Sequence, residues 1–125
     1  MKKISYHVLR IGLAITFLWI GVLIFRNPEG WSHLIQPWAA KLVPGSLVDA
    51  MLETAVLDIL VGIFLLIDVF TWVAALIGGI HIVIVLIACG ITDVTVRDIG
   101  LLAATLELAI ETLPQKISMK IFKNQ

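Results

Sequence analysis

The sequence predicts an all-α protein in which four transmembrane helices form one bundle, with a short interfacial helix between the first and the second. Hydrophobic residues make up 60% of the 125 residues and charged residues 14%, whereas ordinary soluble domains have about 45–50% and about 25%. The apolar residues form four runs, each long enough to cross a hydrocarbon layer of ~30 Å. None of these runs has the broad polar face that a helix of a soluble bundle needs. We therefore predict a single transmembrane domain over residues 1–125.

The first run extends over about residues 4–25. Between Arg10 and Arg26 it contains no residue that is charged at neutral pH, and Asn27-Pro28-Glu29-Gly30 then breaks the helix. The start Met-Lys-Lys is typical of a signal peptide. No small-residue cleavage site follows the run, so we expect this helix to be retained.

Capping and turn residues bound the other three runs. Capping-box patterns begin at Ser46 and at Thr95, Asp68 marks a tight turn, and Pro114 ends the last run because proline cannot continue a helix. The predicted helices cover about residues 47–67, 70–89 and 96–113.

The segment at about residues 31–42 is different from the four runs. Trp31, Leu34 and Trp38 recur at helical spacing, and polar residues occupy the other face. Pro37 makes one long regular helix unfavourable. Since tryptophan prefers the headgroup region, we expect this segment to lie along the membrane surface.

The distribution of basic residues predicts the orientation of the chain. Six basic residues lie in the terminal segments and three on the opposite side. The positive-inside rule therefore predicts that both termini lie in the cytoplasm. We expect a multi-pass protein of the inner (plasma) membrane of the cell. The basic tail at 115–125 suits an anionic inner leaflet. The terminal residues counted are Lys2, Lys3, Arg10, Lys116, Lys120 and Lys123, and the opposite ones are Arg26, Lys41 and Arg97.

Three ionisable residues fall near mid-depth on three different predicted helices: Asp58, His81 and Glu107. Each lies on a helix stripe that also carries small residues, which allow close helix contact in membranes. Two carboxylates in lipid cannot both stay charged cheaply. We therefore predict that the three converge on one polar site that binds a ligand or relays protons. The alternative is a hydrogen-bonded network that only holds the helices together.

Other charged residues are candidates for structural ion pairs. Arg10 and Glu111 lie at matching depth in the cytoplasmic half, and we predict that they pair. Glu53, Arg97 and Asp98 lie toward the outer side, where hydration is an alternative to pairing.

Several function classes are excluded by the composition. The formal net charge of zero gives no basic patch for nucleic acid. Cys89 is the only cysteine, so paired-thiol chemistry and cysteine-rich metal sites are not expected. We predict no metal site. No phosphate-binding, metalloprotease or serine-hydrolase motif occurs, and no catalytic residue can be assigned.

Three stretches resemble the DoxX family of small four-helix membrane proteins: 9–21, with an early arginine and a later glycine; 58–76, with an acid-x-x-x-glycine helix and a tight turn; and 97–102, with an arginine-aspartate start. The residues at family-like positions are Arg10, Asp58, Arg97 and Asp98. The family usually has glutamate where Asp58 lies.

The resemblance implies a membrane subunit connected with quinone-linked redox chemistry, either non-catalytic or dependent on a partner for catalysis. No cofactor is certain, and a quinone is the candidate. Expected partners are the lipid bilayer and either further copies of the chain or a redox protein. Two alternatives stay open: a small proton-coupled transporter and a structural membrane scaffold.

Overall fold

A computed structural model describes residues 3–122, and within this range the chain contains seven helices and no strand. Four helices are long and three are short. In chain order they are α1 (Lys3–Arg26), α2 (Pro28–Ser32), α3 (Pro37–Ala40), α4 (Leu47–Ile67), α5 (Thr71–Cys89), α6 (Arg97–Thr112) and α7 (Gln115–Phe122).

The long helices begin and end within one residue of the bounds predicted from the sequence. Three of them, α1, α4 and α5, are long and apolar enough to cross a membrane. The fourth, α6, has 16 residues, which corresponds to ~24 Å, and it carries four charged side chains. Over residues 3–122 the structure is therefore all-helical with three candidate spans, and the predicted fourth crossing is not confirmed.

The long helices form two tight pairs, α1 with α4 and α5 with α6. Glycines explain the first pair. A Cβ atom added at Gly62 would lie 3.0 Å from the carbonyl oxygen of Ala14, and one at Gly21 would lie 3.0 Å from that of Ala55. In the second pair, a Cβ at Gly79 would lie 3.2 Å from the Thr105 hydroxyl. Small residues thus bring the backbones of α1 and α4 into contact and let a side chain of α6 reach the backbone of α5, as is typical of helix packing in membranes.

The core lies between the pairs, where α4 presents the stripe predicted around Asp58 and α1 packs against it. Ala14, Phe17, Gly62 and Leu65 are all buried there. Large apolar side chains also cover much of the outer surface, which a lipid environment accounts for. The hydrophobic core consists of Leu13, Ala14, Phe17, Val61, Leu65, Ala74, Ala75, Ile82, Leu108 and Ala109.

The connection between α1 and α4 differs from the single interfacial helix predicted over 31–42. It contains two short helices, α2 and α3, with a break between them. Pro37 is the reason, because proline fits the first position of a helix and disrupts its interior. The backbone N–H of Gln36 donates to the carbonyl oxygen of Ala88 at 3.0 Å, so the break is attached to the end of α5.

Two further connections position the ends of the bundle. Only 68–70 joins α4 to α5, and Asp68 and Phe70 both have left-handed backbone conformations, with φ of 58° and 49°. After α6, the predicted basic tail forms the helix α7, in which Lys116 and Lys120 are exposed. Lys2 and Lys123, which entered the orientation prediction, lie outside the described residues.

Candidate functional site

A cavity of about 280 Å³ lies between the two helix pairs. It extends toward the end of the bundle where α1 and α5 end and α6 begins, which we call the cavity end. Most of the wall is aliphatic or aromatic, and Trp31 of α2 and Leu34 cover part of it. The polar residues in the wall are Thr16, Thr54, Asp58, His81, Cys89, Thr95, Arg97 and Asp98.

Asp58 and His81 meet in the wall of this cavity. His81 Nε2 lies 3.4 Å from Asp58 Oδ1, and the two side chains are 14% and 6% exposed. Asp58 lies four residues before Gly62 on the buried stripe of α4, and His81 lies three residues after Gly78 on α5. Gly78 packs against Val61 of α4, so the pair lies where α4 and α5 approach each other, whereas Gly62 packs against α1. The predicted approach of Asp58 and His81 is confirmed.

Glu107 does not join this pair, and its predicted convergence with Asp58 and His81 is wrong. The side chain is exposed on α6, and it does not line the cavity. The buried face of α6 instead carries Thr105, Leu108 and Ala109. At ~100° per residue, Glu107 lies about 200° around the helix from Thr105 and faces away from the bundle.

The other residues expected toward the outer side separate into two positions. Arg97 and Asp98 lie in the wall of the cavity, where Asp98 is half-buried and Arg97 is exposed. Arg97 Nε donates to the carbonyl oxygen of Val94 at 3.4 Å. Glu53 is exposed on α4 and is not part of the cavity wall. Of these three residues, the structure assigns only Arg97 and Asp98 to the candidate site.

Thr95 and Trp31 also belong to the site, although they were not predicted from the sequence as parts of it. Thr95 is 2% exposed, and its hydroxyl donates to the carbonyl oxygen of Gly90 and accepts from the backbone N–H of Thr92 at 2.8 Å. This network closes the α5–α6 connection over the cavity. Its signal was the capping-box pattern at Thr95, which indicated a helix start and not a cavity wall.

The opposite end of the bundle, where α4 and α5 join, we call the turn end. Arg10 is 7% exposed there. Its Nη1 donates to the carbonyl oxygens of Leu65 at 2.7 Å and Leu66 at 2.8 Å, and its Nη2 lies 3.0 Å from His7 Nδ1. Arg10 therefore caps the last carbonyls of α4, where a positive charge is favourable.

Asp68 completes the cluster at the turn end. Its Oδ1 accepts hydrogen bonds of 2.6 Å from the hydroxyls of Tyr6 and Thr71 and lies 3.8 Å from Arg10 Nε. Burial opposes ionisation of Asp68, but the two hydrogen bonds and the Arg10 charge outweigh it. These interactions hold the pKa of Asp68 below its ordinary value.

The predicted pairing of Arg10 with Glu111 stays a prediction. The contacts described for Arg10 go to α1, to the end of α4 and to the α4–α5 turn. Glu111 is exposed near the end of α6. Across residues 3–122, no group of three or more histidine, cysteine or acidic side chains is placed to hold a metal ion.

Comparisons with protein-family models, curated proteins and solved structures find no match for this chain. The resemblance to the DoxX family accordingly stays a prediction.

Proposed function

We propose that the protein is a DoxX-like membrane subunit whose cavity binds the ring of a quinone or of a similar lipid-soluble carbonyl compound. The observation that carries this proposal is the Asp58–His81 pair in the wall of an otherwise mainly apolar cavity. Ligand sites commonly combine apolar walls with a few polar groups that fix orientation. A ring with carbonyl groups matches that combination.

His81 supplies the polar contact for the ring. One ring nitrogen, Nε2, faces Asp58, and the other, Nδ1, is assigned to the ligand. A neutral imidazole that donates from Nε2 accepts at Nδ1 from a hydroxyl, whereas a protonated imidazole donates from Nδ1 to a carbonyl. The Asp58–His81 pair can therefore bind both the carbonyl and the hydroxyl form of such a ring.

The cavity volume limits the bound part of the ligand. About 280 Å³ is at the small end of ligand pockets, which span roughly 300–1,000 Å³. A single ring with a short substituent suits this space, and a long isoprenoid tail would extend into the surrounding lipid. Any electron transfer is assigned to a partner protein, because the polar groups of the cavity only bind the ring and exchange protons.

We also propose that α6 crosses the inner membrane as a fourth span and that the turn end lies on the cytoplasmic side. α6 packs along α5, so it occupies the depth of a candidate span. Lys3, Arg10, Lys116 and Lys120 lie toward the turn end, whereas Arg26, Lys41 and Arg97 lie toward the cavity end. This asymmetry follows the positive-inside rule and supports both termini on the cytoplasmic side.

Binding can be tested with decylubiquinone in lipid nanodiscs. Trp31, in the cavity wall, serves as the reporter in a variant that keeps it as the only tryptophan. We expect saturable fluorescence quenching by decylubiquinone. A matched variant that keeps only Trp19, which is 67% exposed on the outer surface of α1, reports unspecific quenching by quinone dissolved in the lipid.

The Asp58→Asn variant connects binding to the polar pair. The substitution preserves shape but removes the charge, and we expect a loss of affinity of about tenfold, the usual scale for a charge-assisted hydrogen bond. Glu53→Gln, a change of the same kind at an exposed position of the same helix, is the control and leaves affinity unchanged. Equal quenching of Trp31 and Trp19, or equal affinity in wild type and Asp58→Asn, contradicts the proposal.

A proton-coupled transporter is the second candidate, and the same pair favours it because it places a carboxylate and an imidazole in a cavity. Proteoliposomes loaded with a pH-sensitive dye distinguish the two candidates. Substrate-driven proton flux that Asp58→Asn abolishes supports transport. Quinone binding without flux supports the first proposal, and the absence of both leaves a structural scaffold.

A further inference from the structure

Glu107 is placed where an isolated chain would expose it to the hydrocarbon core of the membrane. Thr105, two residues earlier, packs against Gly79, which is the ninth of the 19 residues of α5. Glu107 therefore lies within ~5 Å of the mid-depth of that candidate span. Its side chain is exposed and points away from the bundle.

A carboxylate in this position is costly unless another group covers it. Acidic residues within membrane helices almost always face a protein interior, a water-filled cavity or an oppositely charged partner. Among residues 3–122, Glu107 faces none of these, since it lies outside the cavity and away from the core. In the part of the chain that the structure describes, no hydrogen bond or ion pair to Glu107 is found.

The surface around Glu107 allows another helix to approach closely. Gly100 and Ala103 lie on the same face of α6, seven and four residues before Glu107, and both are exposed. A Cβ atom added at Gly100 would meet nothing within 4 Å. We call Gly100, Ala103 and Glu107 the α6 outer face. Small residues next to a polar one favour close association between membrane helices.

The described residues of a second copy of the chain do not supply the complementary charge. Lysine and arginine side chains between residues 3 and 122 lie toward the two ends of the bundle or in the connections, and His81 lies in the cavity wall. Two α6 outer faces packed in parallel would bring one Glu107 against the other. The charge of this face therefore favours a different protein.

From this placement we propose that the α6 outer face binds a transmembrane helix of a partner protein that carries a lysine or arginine at mid-membrane depth. The basic side chain pairs with Glu107, and the partner backbone packs against Gly100 and Ala103. The inference rests on α6 lying at bilayer depth, and it is independent of the ligand of the cavity.

A defined peptide tests the proposal whatever the identity of the partner. One synthetic transmembrane helix of leucine and alanine carries a single central arginine, and its matched control carries leucine there. The full chain, with Cys89→Ala and a fluorescent dye at Lys41→Cys, is reconstituted in liposomes with each acceptor-labelled peptide. Energy transfer then measures association in the bilayer.

We expect the arginine peptide to associate about tenfold more strongly than the leucine peptide, in line with polar contacts between membrane helices. This preference should disappear in Glu107→Gln and persist in the control Glu53→Gln. Equal association of the two peptides, or a preference that survives in Glu107→Gln, overturns the proposal. So does self-association of the chain that Ala103→Leu abolishes, because the occupant is then a second copy.

Discussion

At the turn end of the bundle and at the cavity end, an arginine lies near an aspartate at a helix terminus, yet the two ends are built differently. At the turn end, Arg10 donates hydrogen bonds to backbone carbonyl groups, and Asp68 accepts hydrogen bonds from hydroxyls of the same chain. At the cavity end, Arg97 and Asp98 lie in the wall of an open space. Similar residues thus close one end and leave the other available to a ligand.

The positions of the connections explain this difference. At the turn end 68–70 joins α4 to α5, so the two helix pairs are held together. At the cavity end, 27–46 joins α1 to α4 and 90–96 joins α5 to α6, each within one pair. Within residues 3–122, no connecting segment joins one long-helix pair directly to the other at this end, and the space between the pairs is the cavity. We therefore expect ligands and protons to reach Asp58 and His81 from the cavity end.

The largest expected effect is the loss of stability in Arg10→Ala. The substitution removes the donor for the carbonyl groups of Leu65 and Leu66 and leaves Asp68 without its cation. We expect a decrease of about 3 kcal/mol in the free energy of unfolding, measured by denaturation in mixed micelles. Arg97→Ala at the cavity end is the matched variant and should change it by less than about 0.5 kcal/mol. Equal effects would remove the distinction between the ends.

A double-mutant cycle then identifies the ion-pair partner of Arg10. We expect Arg10→Ala to couple with Asp68→Asn, because the two side chains lie 3.8 Å apart. The same cycle with Glu111→Gln tests the pair predicted from the sequence. A larger coupling energy with Glu111 than with Asp68 would show that Arg10 closes the turn end by pairing with α6 and not with the α4–α5 turn.

Access to the two ends can be compared through buried thiols. Cys89 is 8% exposed but lines the cavity, whereas Ala109 is 6% exposed and belongs to the core. We expect a small thiosulfonate reagent to modify Cys89 at least about tenfold faster than Ala109→Cys in a Cys89→Ala background, because only the latter requires local opening of the core. Mass spectrometry of timed samples measures both rates. Similar rates would show that the cavity is closed to solutes.

A smaller effect is expected from pH at the turn end. The pKa of Asp68 is lower in the folded chain than its ordinary value of 3.8, so the folded state is stabilised while the carboxyl is ionised. This contribution is fully present above about pH 4 and is lost as the pH falls through the folded-state value. Melting temperatures between about pH 6 and about pH 3 should fall less in Asp68→Asn than in wild type. Parallel curves would contradict this role.

The smallest expected effect concerns the left-handed residues of the turn. Phe70 has φ of 49° and its side chain is 68% exposed, so Phe70→Gly should relieve strain and raise stability by about 1 kcal/mol. Asp68→Gly relaxes the same kind of conformation but removes the acceptor for Tyr6 and Thr71, and should lower stability. A gain in both variants would show that conformation alone determines the turn.

The comparison of the ends also shows what the sequence could predict. Helix bounds followed from capping and turn residues, and the stripe with Asp58 and Gly62 identified the buried face of α4. The buried face of α6 was not predictable, because lipid and core are both apolar and periodicity alone does not separate them. Glu107 was taken to mark the buried face of α6, whereas Thr105 lies on that face.

The hydrogen-bond partners of Arg10 could not be predicted from the sequence for another reason. Its hydrogen bonds go to backbone carbonyls of Leu65 and Leu66, and every residue has a carbonyl group, so no side-chain pattern marks them. The cavity could not be predicted from the sequence either, because its existence depends on the separation of two helix pairs. The meeting of Asp58 with His81 was accessible because both lie on small-residue stripes at similar depth.

The short α4–α5 turn also bears on the way the chain enters a membrane during synthesis. With only 68–70 between them, α4 and α5 leave no loop that could cross the bilayer separately. A helix that enters alone would carry Asp58 into lipid without His81. We expect the two helices to enter together as a hairpin, so that the Asp58–His81 contact forms as the hairpin leaves the insertion machinery.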